Sequence, residues 1–134
     1  LCPATMEQLA ATAAVKTPQS YFDQVIEEYK KRRNVVFEEL EKIPGVVALK
    51  PQGAFYTIVK LPVDDADKFS TWLLKDFHLN HETIMLAPAN GFYATPGKGV
   101  DEVRIAFVLN VKDMKRSMEI LREGLKVYPG RKEN

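Results

Sequence analysis

From Pro18 to Ile43 the chain places Phe22, Val25, Ile26, Tyr29, Val36, Phe37 and Leu40 at helical spacing. The pattern predicts one helix of roughly 22 residues, on the order of 33 Å long at 1.5 Å per residue. In a chain of 134 residues, sized for one domain or one domain plus an appendage, a helix that long more naturally bridges two bodies than sits inside one. Ser20 and Asp23 offer capping spacing at its start, with Pro18 in a first-turn position, and Pro44-Gly45 ends it. Its middle, EEYKKRRN, reads as a solvated face. Ahead of it, Thr5 and Gln8 have capping-box spacing for a short Ala-rich helix over Met6 to Lys16. A chain that opens inside such a signal, without an initiator Met, is expected to be a piece of a larger protein.

After the long helix the periodicity changes. Val46 to Leu49 predicts a short strand, KPQG a turn, and Ala54 to Leu61 a second strand rich in β-formers. Asp64 or Asp65 can cap a helix whose Ala66, Phe69, Trp72, Leu73 and Phe77 face inward. Thr83 to Ala87 predicts a third strand and Val103 to Leu109 a fourth. Asn110 and Asp113 open a last helix with Val111, Met114, Met118, Leu121 and Leu125 along one side, where the Met pair reads as core filling. The order β-β-α-β-β-α is that of an α+β layer, a small sheet with helices on one side. Between the last two strands runs the Pro88 to Asp101 loop, about 14 residues, long enough to imply a functional role.

Composition removes several functions. The net charge of +1 lacks the basic bias of a nucleic-acid binder. No apolar run approaches the roughly 20 residues of a membrane helix. The lone Cys2 cannot form an internal disulfide and fits a reducing compartment. His78 and His81 beside Glu82 fall short of the three or four converging ligands that a metal needs, and read as an exposed helix terminus. PGKG, Pro96 to Gly99, lacks P-loop spacing. Phe55 and Tyr56 resemble base-stacking aromatics, but the strand order and the charge balance do not suit RNA recognition.

Arg104 is harder to set aside. It stands inside the apolar run Val103 to Leu109, and burying an unpaired charge is costly. At period two it shares a face with Ala106 and Val108, opposite Val103, Ile105 and Phe107. Two readings stay open on the pattern alone. One is a surface charge that blunts a sheet edge. The other is a guanidinium at a cleft wall, waiting to grip a carboxylate through two parallel hydrogen bonds.

PQGAFY (Pro51 to Tyr56), the helix in TPQSYFDQVIEEYKKRRNVVFEEL and VRIAF (Val103 to Phe107) stand in an order and spacing that resemble the C-terminal part of fold-type I pyridoxal-phosphate aminotransferases of the aspartate aminotransferase-like group. The resemblance spans essentially the whole chain. It implies two segments. Residues 1–44 are the short helix and the connector helix leading from a missing N-terminal large domain, and 45–134 are the small domain. It implies that Arg104 binds the substrate α-carboxylate and that Gly53 and Phe55 line the substrate side of the cleft. It further implies transfer of an amino group between an amino acid and a 2-oxo acid, with pyridoxal phosphate in the intact enzyme, a homodimer and a cytoplasmic setting in amino acid metabolism. The Schiff-base Lys and the cofactor's other ligands belong upstream in the family. No catalytic, cofactor-binding or metal-binding residue is therefore assigned here, and the fragment alone is expected to hold no cofactor and to be inactive. The segment LAPANGFYATPGKG departs from the family's usual pattern after the third strand. A decarboxylase or lyase of the same fold type, and a stand-alone amino-acid-binding module, are the alternatives.

Overall fold

The computed structural model describes residues 2 to 132. The chain forms helix α1 (Thr5–Ala14), helix α2 (Gln19–Leu40), strands β1 (Val47–Ala48) and β2 (Tyr56–Lys60), helix α3 (Ala66–Lys75), strand β3 (Ala87–Pro88), strand β4 (Glu102–Ala106) and helix α4 (Val111–Val127). The strands make one antiparallel sheet in the order β1-β2-β4-β3. This is the expected α+β layer. Val59, Val103, Ile105 and Phe107 point from the sheet into a core with Val36, Phe37, Leu40, Phe69, Leu73, Met118, Leu121 and Leu125. Met114 and Met118 are core residues, as their spacing implied.

Boundaries differ from expectation where local chemistry intervenes. Neither anticipated N-terminal cap forms. Ala4 caps α1 without a side-chain bond, Gln8 instead donating to the Pro3 carbonyl at 2.9 Å. Pro18, in extended conformation, precedes α2, and Gln19 rather than Ser20 reaches Asp23, at 3.0 Å. The other two caps form as read. Asp65 Oδ1 accepts from the Lys68 amide at 3.0 Å, and Asn110 Oδ1 accepts from the Asp113 amide at 3.0 Å. Strand β2 begins only at Tyr56 because Ala54 adopts φ +59, a left-handed turn that breaks the extended run. The expected third strand over Thr83 to Ala87 narrows to the pairs Ala87–Arg104 and Pro88–Val103. The fourth ends its ladder at Ala106 rather than Leu109, although the Phe107 amide still reaches the Phe55 carbonyl at 2.9 Å. His78 and His81 are not on a helix. Helix α3 stops at Lys75, and the two rings stack with centroids 5.4 Å apart across a turn in which Asn80 and His81 take positive φ.

Helix α2 has the anticipated length of 22 residues but only its second half is buried. Val36, Phe37 and Leu40 enter the core and pack toward α4, whereas Tyr21, Phe22 and Ile26 are exposed. Nor is its charged middle simply solvated. Arg32 donates to the Val108 carbonyl at 2.8 Å and Arg33 to the Pro51 carbonyl at 2.9 Å, clamping the helix to the segments that flank the Tyr56–Ala106 end of the β2–β4 ladder. No helix among the described residues is long and apolar enough to cross a membrane, and no group of three or more metal-ligating side chains occurs among them.

The C-terminal end is tied to the entry of α3 by the Asp64 amide donating to the Gly130 carbonyl at 2.8 Å, the Lys132 amide donating to the Pro62 carbonyl at 2.9 Å, and one side-chain pair. The Tyr128 hydroxyl donates to Asp64 Oδ1 at 2.9 Å. Burial, followed by that bond and the facing carboxylate, pushes the Tyr128 phenol up to about 12. Burial works to raise Asp64 as well, but the hydrogen bonds from Tyr128 and Lys68 outweigh it and hold the carboxyl below its ordinary value. A phenol whose folded pKa is raised stabilises the fold fully below about pH 10 and loses that contribution as pH climbs toward about 12. A carboxyl whose folded pKa is depressed contributes above about pH 4 and loses its share as pH falls further. Ultraviolet titration of phenolate absorbance should therefore find Tyr128 among the last tyrosines to ionise, with unfolding denaturant midpoints falling across the same alkaline window. Tyr128→Phe should flatten that loss.

Candidate active-site surface around Arg104

The β2–β4 ladder decides where Arg104 can go. Thr57 pairs with Ile105 and Val59 with Val103 on the helix-covered face, so Ile58, opposite Arg104, and Tyr56, opposite Ala106, take the other face. Val103, Ile105 and Phe107 are buried and Arg104 is exposed. β4 lies between β2 and β3. Arg104 is thus not on an edge, and the edge-blunting reading of this charge fails.

The guanidinium lies over two aromatic rings, 5.6 Å from the centroid of Tyr56 and 5.3 Å from that of Phe92. These rings come from the two sides of β4: Tyr56 from β2, and Phe92 from a short 3-10 turn, Asn90–Phe92, that follows β3. No ion pair or side-chain hydrogen bond among the described residues occupies Arg104. Every other arginine donates to a carboxylate or a carbonyl: Arg32 and Arg33 as above, Arg116 to Glu82 and Glu119, Arg122 to Glu123, and Arg131 to the Leu125 carbonyl. Beside Arg104 opens a mostly apolar groove of about 450 Å³, walled by Met85, Leu86, Ala106, Val108, Leu109 and Met118 among others. A cation with free N–H donors at the mouth of an apolar groove suits a small organic anion.

Gly53 and Phe55 lie elsewhere. They line a second groove of about 430 Å³ with Val25, Ile26, Tyr29 and Arg33 of α2, and Arg104 is not part of its wall. Phe55 nevertheless connects the two regions, packing on Tyr29 at 6.3 Å and edge-on to Tyr56 at 5.6 Å between centroids. An alanine side chain at Gly53 would meet nothing within 4 Å. Sequence reading did not single out Tyr56 or Phe92 as neighbours of Arg104. The first was recoverable from strand alternation, since position 56 shares the face of 58 and 60. The second was not, because a loop carries no such period.

Residues 1–121 match the model of aminotransferase class I and II. The chain belongs to that family. It is 33% identical over 128 residues to an aspartate aminotransferase of Sulfolobus acidocaldarius, covering 91% of this chain and 30% of the relative. It is 29% identical over 124 residues to the aspartate aminotransferase of Geobacillus stearothermophilus, covering 87% of this chain and 29% of that protein. Among solved structures it resembles an alanine aminotransferase of Pyrococcus furiosus, with TM-score 0.77, 28% identity and coverage of 94% of this chain and 31% of that one. It also resembles an aromatic aminotransferase of Pyrococcus horikoshii, with TM-score 0.74, 29% identity and coverage of 93% and 32%. The chain therefore spans about three-tenths of the length of these aminotransferase relatives.

The loop that carries Phe92 is held by a glycine. Gly99 has φ +72, and a Cβ there would stand 2.6 Å from the Tyr93 ring and 2.9 Å from the Ala89 carbonyl. Gly99→Ala should cost on the order of 1–3 kcal/mol of stability, the range of overpacking and backbone strain. Gly53→Ala, in open space, should cost well under 1 kcal/mol as a surface change. Denaturant midpoints of the two variants check the contrast.

Proposed function

We propose that this chain is the C-terminal part of a pyridoxal-phosphate-dependent aminotransferase, which transfers an amino group between an amino acid and a 2-oxo acid. Residues 1–44 connect to a large domain and residues 45–134 are the small domain. Its part in the reaction is to bind the substrate's α-carboxylate at Arg104 and to close the cleft over it. The observation that carries this reading is the state of Arg104, a guanidinium fixed on an interior strand and left without an anion while every other arginine is engaged.

The family relatives support the same division of labour. Solved neighbours include proteins described as alanine and aromatic aminotransferases, whose substrates differ in side chain and share an α-carboxylate. A domain common to both is suited to recognise the shared group. Holding that carboxylate by two parallel hydrogen bonds fixes the rotation of the substrate and so the direction of its Cα–H bond, which is binding used for alignment. Excluding water on closure strengthens the ion pair. Gly53 and Phe55 belong to this reading as substrate-side residues, with Phe55 bridging through Tyr56 toward Arg104.

In the intact enzyme pyridoxal phosphate supplies the electron sink. The residues around Arg104 do not fit that group. Its groove is lined by no lysine, and Lys60, on the same sheet face, is 3.4 Å from Asp101. This chain's residues accordingly bind and orient substrate, and no step through the cofactor is assigned to them. The exposed apolar residues Met6, Leu9, Val15, Tyr21, Phe22 and Ile26 of α1, α2 and their junction suit cover by the large domain or a second subunit.

Arg104→Ala in the intact enzyme should lower kcat/KM at least about 30-fold, corresponding to about 2 kcal/mol or more for a charge-assisted pair. Near-normal kcat/KM in steady-state assays would overturn the reading. The fragment alone, mixed with pyridoxal phosphate and an amino acid, should form no oxo acid. Turnover by it would overturn the division of labour.

A further inference from the structure

The segment from Pro88 to Asp101 has no role in the proposed function, yet it is tied down toward both of its ends. Buried Ala89 donates to the Glu102 carbonyl at 2.9 Å and its own carbonyl accepts from Phe92 at 2.9 Å. Asn90 donates to Asp67 at 2.6 Å, anchoring the turn to α3, and the Tyr93 hydroxyl donates to Glu102 on β4. The Val100 carbonyl accepts from Ala66 at 2.7 Å. Gly99 is packed against Tyr93 so closely that no side chain fits. These ties deliver a half-exposed ring, Phe92, onto the Arg104 guanidinium.

We infer that Phe92, together with Tyr56, is a positioning residue for Arg104, and that the Pro88–Asp101 segment is built to hold Phe92 in that place. The inference rests on the reading of Arg104 as the carboxylate anchor. A long arginine side chain left free would lose rotamer freedom on binding, which weakens the complex. An ion pair would hold it but would occupy the N–H groups needed for substrate and cancel the charge. Aromatic rings attract the cation through their π electrons without consuming an N–H donor. Two rings from opposite sides of β4 thereby restrain the guanidinium while its donors stay open. Phe92 is 56% exposed and Tyr56 is 42% exposed, so neither is needed to fill the core.

The test compares two substrates in the intact enzyme: the amino acid it turns over, and the carboxamide of that amino acid, which lacks the charge that Arg104 grips. Phe92→Leu should lower the ratio of kcat/KM for the acid over the amide about fivefold, the scale of one cation–π contact. The loss should appear in KM for the acid, with kcat within about twofold, because the anchor is loosened and not removed. Phe92→Tyr, which keeps the ring, should restore the ratio, and Tyr56→Leu should reproduce the fall. A loss that strikes acid and amide alike, or an unchanged ratio in Phe92→Leu with a normal melting temperature, would overturn the inference. Arg104→Ala separates this from the underlying reading. A collapsed ratio there with an unchanged ratio in Phe92→Leu rejects the positioning role alone. An unchanged ratio in Arg104→Ala rejects both.

Discussion

The five-pair antiparallel ladder between β2 and β4 governs the rest of the structure. Its register places Thr57, Val59, Val103 and Ile105 against the helices, and the period of two then forces Ile58, Arg104 and Ala106 to the opposite face. A slip of one residue would bury the guanidinium and expose the aliphatic side chains, a change costing several core residues at once. The charge that looked anomalous in an apolar run is therefore the other half of the pattern that builds the core. What makes Arg104 distinctive is that β4 is interior, so the exposed face around it has structure on both sides.

That structure comes from elements with different jobs. β2 brings Tyr56 by alternation, whereas Phe92 arrives through a loop pinned to α3 by Asn90–Asp67 and to β4 by Tyr93–Glu102. Helix α2 is clamped from below, with Arg32 on the Val108 carbonyl and Arg33 on the Pro51 carbonyl. The same helix thus touches the chain just after β4 and just before the Gln52–Phe55 turn, and any tilt of its exposed half would be felt at both. Under the proposed reading, in which α2 leads from a large domain, these contacts would give that domain a physical route to the Arg104 surface.

Much of this was legible in the sequence because it rests on periodicity. The 22-residue helix, the core stripe of α4 and the two faces of β4 follow from spacing alone. Asp65 and Asn110 were readable caps because each is followed three residues on by an amide it can reach. Thr5 and Ser20 carry the same signature and fail, because each lies inside its helix, past the extended cap positions Ala4 and Pro18, and Gln8 and Gln19 find other partners. Arg32 and Arg33 looked like solvent-facing charges; only the fold shows the carbonyls they reach across 76 and 18 residues of chain. Phe92 was invisible for the same reason, since its meeting with Arg104 depends on a loop path fixed by Gly99 and Tyr93. Periodicity left Arg104 open between two readings, and the resemblance in PQGAFY and VRIAF is what favours the proposed carboxylate anchor.

On the proposed reading, the unpartnered guanidinium on β4 is kept for a carboxylate. The most direct measurement is a crystal structure of the intact enzyme with a 2-methyl amino acid bound, a substrate mimic that has no Cα–H to lose. The account predicts both carboxylate oxygens at about 2.7–2.9 Å from Arg104 nitrogens, in the paired geometry of a charge-assisted fork. A carboxylate held by other residues, with Arg104 still facing only Tyr56 and Phe92, would contradict it.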